Sequence, residues 1–479
     1  MNTIFLVLDT GLARSYFLDT DLADTLVKNG LRLVILVPEV ELPLLAKTYP
    51  RENVIFESMR DKQAAHYRDT YQRGWQFILE HVRRASASPR IPLTYVDTHR
   101  RRKESTASPS EKTKYALARP LIYLLRGSRL ARRFFHWLIE KAFTPNIYTD
   151  LFDQYQPALV VSNTAGWRLD QYLLREAHKR GLRTLTVIVG WDNPSSQGLP
   201  GASVDDVIVW SEIHKWEMAA GVDWPEKNIY IGGMPLYDGY ISKRWQMSRE
   251  EYCKLHNLDP ERRLIAFAAT ALSISPNFHL IEMLARMVSE EQFDVPAQLL
   301  IRLHPNHFKP MNHYKQEAET IRHVMQQYQH VHIVEPKQGA GGMDRYSGED
   351  FPEKASMLAH CDLLVTIYST MVVEAALHDK PFVSACIDIP GGWGGNFFSV
   401  PLHEVPTWPT AARVNKLHAG RLALTEAELR QAINDYLRNP RLESAERRSL
   451  IERELTYIHG EATQKTAEII LSLANGEQP

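Results

Sequence analysis

Short apolar runs rich in β-branched residues alternate along this chain with stretches of helical periodicity, and the alternation occurs twice. The first series opens with TIFLVL at residues 3–8 and continues with LRLVILV at Leu31–Val37 and a third run at 53–57. It resumes with ALVVSN at 158–163, RTLTVIV at 183–189, and shorter runs at 207–210 and 228–231. Gly30 and Gly181 stand where the intervening helices should stop. The second series begins with LIAFAAT at 264–270 and adds runs at 297–303, Val331–Val334, 363–367 and 381–386. Helical patterns fall near 280–290, 314–328, 356–360 and 371–378, and two more helices are expected beyond residue 425. Strand–helix–strand alternation means crossover connections, and hence parallel sheets. A chain of 479 residues has room for two such units. The expected division is 1–235 and 236–479.

An insertion near 60–145 interrupts the first series. Residues 61–84 read as a helix, 98–114 as a polar, mobile stretch, and 120–143 as a basic amphipathic helix. Between Arg100 and Lys141 stand twelve cations and three anions, although the whole chain carries a net charge of −1. Leu121, Leu124, Leu125, Leu130, Phe134, Phe135, Trp137 and Leu138 are interleaved with them. Two readings follow. The segment lies on an anionic membrane surface, or it packs on the first unit with a solvated basic face. With no bulk positive charge, nucleic acid is not an expected partner. The three cysteines are far apart, which argues against a disulfide framework and for a reducing compartment. Neither a secretory signal pattern nor a run of about 18 apolar residues is present. The expected location is cytoplasmic, peripheral at the inner membrane face under the lipid reading.

Ligands of open parallel sheets bind beyond the carboxyl ends of strands, so the post-strand segments matter most. Arg302-Leu303-His304-Pro305 closes one strand. An imidazole at His304 can donate to a phosphate oxygen or protonate a leaving phosphate, or it simply fills a turn. A strand over 363–367 leads through Tyr368, Ser369 and Thr370 into a helix that carries Glu374. Ser369 as N-cap would open an anion site. Glu374, one turn beyond Thr370, would accept from ribose hydroxyls. The bland alternative is an ordinary capped helix. Gly190-Trp191-Asp192-Asn193 follows another strand. Trp191 walls a cleft or lies in the core, while Asp192 and Asn193 bind hydroxyls or build a turn. Glycine-rich stretches at 339–348 and 391–395 read as loops near a ligand or as plain surface loops.

Together, His304-Pro305, Ser369-Thr370, Glu374 and the Trp191-Asp192-Asn193 loop with Ser195, Ser196 and Gly198 resemble the GT-B glycosyltransferases of bacterial surface-polysaccharide synthesis. They are similar also to the related CDP-glycerol glycerophosphotransferases and to HP-motif sialyl and Kdo transferases. Gln197 stands where the pattern often has Lys. The resemblance runs from about 158 to 385, and the insertion lies outside it. It implies an α/β fold of two Rossmann-like domains with parallel sheets facing a cleft. It implies an acceptor on the first domain and a nucleotide on the second, held by Arg302, His304, Ser369, Thr370 and Glu374. The donor implied is a UDP- or CMP-sugar, or CDP-glycerol; the acceptor is a glycan or lipid-linked group contacted by Trp191 and Asn193. An inverting member needs a carboxylate base on the acceptor side. Asp9 and Asp192 compete for that role, and Asp9 has the alternative of capping the following helix. No catalytic metal and no cofactor are expected. Alternatives within the fold are glycerol-phosphate transfer, nucleotide-sugar 2-epimerisation, and nucleotide-sugar binding without catalysis.

Overall fold

The computed structural model describes residues 1–271, 274–308, 312–336, 350–388 and 400–479. The chain divides into two compact units. The first comprises Met1–Asp238 with Leu455–Pro479, and the second runs from Gly239 to Glu454. The expected glycine-rich loops at 339–348 and 391–395 lie outside the described residues.

In the first unit the strands are β1 (Asn2–Val7), β2 (Leu31–Val37), β3 (Val54–Ser58), β4 (Leu159–Ser162), β5 (Arg183–Val187), β6 (Asp206–Val209) and β7 (Ile229–Ile231). They form one parallel sheet in the order β3-β2-β1-β4-β5-β6-β7. β1 lies between β2 and β4, so Leu6 faces Ile35 on one side and Val161 on the other. Phe5, Val7, Val34, Leu36 and Val160 turn to one face, where Tyr148, Phe152, Leu173 and Leu174 complete a core. Ile4, Leu6, Leu33 and Ile35, one residue out of step, are buried as well. Burial on both faces is why these strands read as continuous apolar runs rather than alternating ones.

The insertion is helical throughout most of its length, which corrects the expectation of a polar, mobile stretch at 98–114. Helices Thr94–Thr106 and Pro109–Gly127 occupy it. Ser108 and Glu111 form a reciprocal capping box with Pro109 in the first turn, so a start signal is present within the polar composition. The helix expected over 120–143 is two helices, because Ser128 ends one and caps Arg129–Ala142. The helix expected over 61–84 is Asp61–Tyr71, a 3-10 turn, a π-helix at Phe77–Val82 and a last turn at Arg83–Ala85. Val82, Val96, Ile122, Leu125, Phe135 and Ile139 form the insertion's own core.

The second unit holds β8 (Arg263–Ala268), β9 (Ala297–Arg302), β10 (Val331–Val334), β11 (Leu363–Thr366), β12 (Phe382–Ala385) and β13 (Arg421–Ala423). They pair in parallel in the order β10-β9-β8-β11-β12-β13. β13 carries only Arg-Leu-Ala, too short for a periodic signal, and was not anticipated.

Three helices, not two, follow residue 425: Glu426–Arg438, Ser444–Leu455 and Ala462–Ala474. The last was expected in the second half and belongs to the first unit instead. Thr466 Oγ1 donates to Gly232 O at 3.1 Å, and Asp238 Oδ2 accepts from Thr463 N at 2.7 Å. A Cβ on Gly232 would meet Thr466 Oγ1 at 2.7 Å, and one on Gly233, at φ +81°, would meet Ala462 Cβ at 2.8 Å. The glycine pair therefore makes room for the helix.

Candidate functional site

In each sheet the chain runs outward from a central strand and then crosses to that strand's other side. The crossing defines a switch point between β1 and β4 in the first unit and between β8 and β11 in the second. There the connections leave in opposite directions, and a crevice opens at the carboxyl ends of the strands.

At the first switch point, Asn163 just beyond β4 donates from Nδ2 to Val7 O of β1 at 2.7 Å. The next loop is organised by Asp170, which is 1% exposed. Its carboxylate accepts from Thr164 Oγ1 at 2.6 Å, Gly166 N at 3.2 Å and Arg168 N at 3.3 Å. Burial raises its pKa, and these donors work against the rise. Gly166, at φ +73°, leaves no room for a side chain, since a Cβ would lie 2.7 Å from Ala202 N. The loop so fixed sets Arg168 Nε 3.1 Å from Asp9 Oδ2. Asp9 does not cap the following helix. Thr10 does, accepting from Ala13 N at 3.1 Å.

The Trp191-Asp192-Asn193 loop follows β5. Trp191 is 2% exposed, which corrects the expectation of a cleft wall, because the ring packs inside the unit. Asn193 begins a one-turn helix, and its amide packs so close that a Cβ on Gly190 would lie 2.4 Å from its Oδ1. Asp192 is half-buried. Burial, and then the charge of Asp192, push the Tyr95 hydroxyl up, so the loop faces the insertion helix Thr94–Thr106.

At the second switch point, Ser369 and Thr370 sit half-buried directly beyond β11. The N-cap of helix Met371–Leu377 is Thr370 rather than Ser369. Ser369 Oγ accepts from Met371 N at 3.2 Å. His304 lies two residues beyond β9, where Pro305 starts a 3-10 turn. Its Nδ1 accepts from Asn306 N at 3.0 Å, which in a neutral ring leaves the proton on Nε2. Behind it is a buried chain of groups not anticipated from sequence. His307 Nδ1 accepts from His304 N at 3.1 Å, and His307 Nε2 meets Glu317 Oε2 at 2.6 Å. Glu317 also accepts from Phe278 N at 3.3 Å and from Asn277 N. The Asn277 amide in turn brackets Thr270, beyond β8, accepting from its N at 2.7 Å and donating to its O at 3.1 Å. The loops after β8 and β9 are thereby tied together.

Two of the expected ligand residues are engaged within the second unit. The Arg302 guanidinium is buried and ion-paired with Glu353 and Asp350. Burial disfavours its charge, but the two carboxylates more than offset this and raise its pKa. Its guanidinium is thus taken up by these two carboxylates. Glu374 is 3% exposed. Its oxygens accept from Lys354 Nζ at 2.6 Å and from Tyr240 Oη at 3.1 Å. It joins helix Met371–Leu377 to helix Phe351–His360 instead of offering a free carboxylate to a ribose. Neither partnership has a local spacing signal, since Glu353 and Lys354 lie about 50 and 20 residues from the groups they meet.

Among the described residues no group of three His, Cys, Asp or Glu is placed to hold a metal. No helix among them is long and apolar enough to cross a membrane.

No protein-family model and no curated protein matches the chain by sequence. Solved structures do match it by fold. A putative UDP-N-acetylglucosamine 2-epimerase from Listeria monocytogenes superposes with a TM-score of 0.54 at 12% identity, covering 100% of this chain and 98% of that one. S. aureus MnaA, solved with UDP, gives 0.55 at 12% identity, covering 100% and 99%. A glycosyltransferase from Rickettsia africae gives 0.50 at 11% identity, covering 98% of each. The chain has the α/β architecture of two parallel-sheeted, Rossmann-like halves that these GT-B glycosyltransferases and 2-epimerases share.

Proposed function

We propose that this chain is a metal-independent GT-B glycosyltransferase that moves a sugar from a nucleotide-sugar donor to a glycan or lipid-linked acceptor. The observation that carries the reading is the chemistry at the two switch points. One has an ion-paired carboxylate, Asp9. The other has the hydroxyls of Ser369 and Thr370 directly beyond β11, and His304, with its tautomer set, stands beyond β9 of the same sheet. In this reading the second unit holds the nucleotide. His304 Nε2–H and the Ser369 and Thr370 hydroxyls donate to the phosphate that leaves, and neutralise charge as it develops. Asp9 accepts the proton of the attacking hydroxyl, with Arg168 fixing its orientation, and Asp192 is the competing base. Asn193 is left for the acceptor.

A second reading, nucleotide-sugar 2-epimerisation, is favoured by the fold neighbours. One is solved with UDP and another, from Neisseria meningitidis, with UDP-GlcNAc. Thermal-shift screening against UDP, CMP, CDP, GDP and their sugars identifies the donor by mass action. Donor turnover with and without acceptor then separates the readings. Epimerisation needs no acceptor, whereas transfer does. No stabilisation by any nucleotide would end both readings.

The acceptor lies at an anionic membrane surface. What supports this is the outer face of helices Pro109–Gly127 and Arg129–Ala142. Of the fifteen large apolar side chains exposed in the described chain, seven fall here, including Leu117, Leu130, Phe134 and Trp137. The alternative of a solvated basic face fits less well. Arg132 is buried against Asp223, and Arg100, Arg119 and Arg126 are paired with Glu104 or Asp97. What faces outward is an apolar stripe flanked by Lys112, Lys114 and Arg133. Large exposed apolar patches mark interaction surfaces.

A further inference from the structure

The insertion, together with Trp167 and Gln197, lines an open cavity of about 380 Å³ in the first unit, within the size range of small-molecule sites. One wall is the π-helix Phe77–Val82, a rare geometry that recurs at functional sites. It contributes Phe77 and His81, whose rings stack at 5.0 Å, with Tyr115 meeting His81 edge-on at 4.8 Å. Arg84, Lys103 and Trp167 also line it. Trp167 is adjacent to the Arg168 that pairs with Asp9, so the cavity adjoins the first switch point.

Three features point to an anionic occupant. Lys103 and Arg84 have no ion-pairing carboxylate among the described residues, and Glu80 is the single carboxylate in the lining. Burial, and after it the positive charge of Lys103, depress the His81 imidazole to about 4, as expected in an under-neutralised cationic field. Two ring nitrogens of the lining, His81 Nε2 and Trp167 Nε1, are buried without a hydrogen-bond partner among the described residues. The indole N–H is a donor only, so what it lacks is an acceptor oxygen.

We propose that this cavity is a subsite for a phosphate or diphosphate group, held by Lys103, Arg84 and the Trp167 indole N–H against the Phe77–His81–Tyr115 aromatic wall. Resting on the transferase reading, it assigns the acceptor an anionic phosphate-bearing group close to its reacting hydroxyl. The insertion then reads the acceptor, and its anion subsite is distinct from the nucleotide phosphates assigned to the second unit.

The test is calorimetric titration of the full chain with pyrophosphate. The native protein binds it. Lys103→Glu weakens that binding about tenfold or more, as for loss of a charged hydrogen bond. Trp167→Phe, which keeps an aromatic ring and removes the N–H, weakens it several-fold. UDP affinity is unchanged in both variants, which also reports that they are folded. His304→Ala leaves the Lys103-dependent pyrophosphate site intact. Absence of pyrophosphate binding in the native protein overturns the proposal. So does native affinity in Lys103→Glu, or loss of the site in His304→Ala with retention in Lys103→Glu. If no nucleotide binds while pyrophosphate still binds through Lys103, the transferase reading fails and the anion site stands.

Discussion

Arg168 and Asp9 meet at 3.1 Å across the switch point of the first sheet, one from the loop after β4 and the other from the end of β1. Asp170 makes the meeting possible, because it spends its carboxylate on three donors of the loop that carries Arg168. If Asp9 is the base, Asp9→Asn lowers kcat by about 10²–10⁴-fold and leaves nucleotide affinity unchanged. Asp192→Asn costs less than tenfold. Steady-state kinetics with the donor found by screening decides, and the reverse order of effects transfers the role to Asp192.

His304→Ala is expected to lower kcat by about 10²–10³-fold, the loss of one donor to a developing oxyanion. His307→Phe keeps an aromatic ring but removes the acceptor for His304 N and the partner of Glu317. It should lower kcat less than His304→Ala does and also reduce stability, because it leaves Glu317 buried without that partner. Comparing kcat with the urea unfolding midpoint for both variants separates chemistry from support.

Glu374 is expected to matter for stability. Glu374→Gln leaves Lys354 without its counter-charge in a mostly buried position, at a cost of about 3 kcal/mol. Urea unfolding measures this. Nucleotide affinity of the folded variant stays near that of the native protein; a large fall would return Glu374 to the ligand.

Glu140 makes acid sensitivity local. Burial opposes its charge, but His178 and the Ser203 donors overcome this and hold its pKa at about 2. A folded-state value below the ordinary 4.5 means that its contribution is complete above pH 4.5 and is lost as pH falls toward 2. Over that interval the effect is about 3 kcal/mol. Glu140→Gln should therefore be less stable than the native protein at pH 7, and the gap should narrow steadily below pH 4.5. Denaturation midpoints across pH 2.5–7 test the sign.

The outer face of the insertion should bring the protein down with anionic vesicles at low salt, less so at moderate salt. Phe134→Ser with Trp137→Ser, both exposed, should abolish sedimentation without lowering the melting temperature. Native protein that stays in the supernatant at both salt levels excludes the membrane surface.

Much of the fold was legible because its signals are local. Runs buried on both sheet faces are apolar throughout, and twelve of the thirteen described strands announced themselves in that way or as short β-rich segments bounded by breakers; the three-residue β7 was caught as one of these, while β13 was too short. Even the helix start at Ser108 was written in the sequence, hidden only by its polar surroundings. The positions of Asp9, His304, Ser369 and Thr370 beyond strand ends were legible for the same reason.

Which of those groups remain available to a ligand was decided by the tertiary structure. Arg302 and Glu374 carry the right chemistry at the right strand and helix, yet folding brings Glu353, Asp350 and Lys354 to them from far along the chain. A buried charge must be paired, and the nearest opposite charge takes it. The same holds for Arg168 against Asp9, for His307 against Glu317, and for the last helix, whose place on the first unit depends on the space left by Gly232 and Gly233. Periodicity along a chain fixes which face of an element is buried; it carries no information about which distant side chain arrives there.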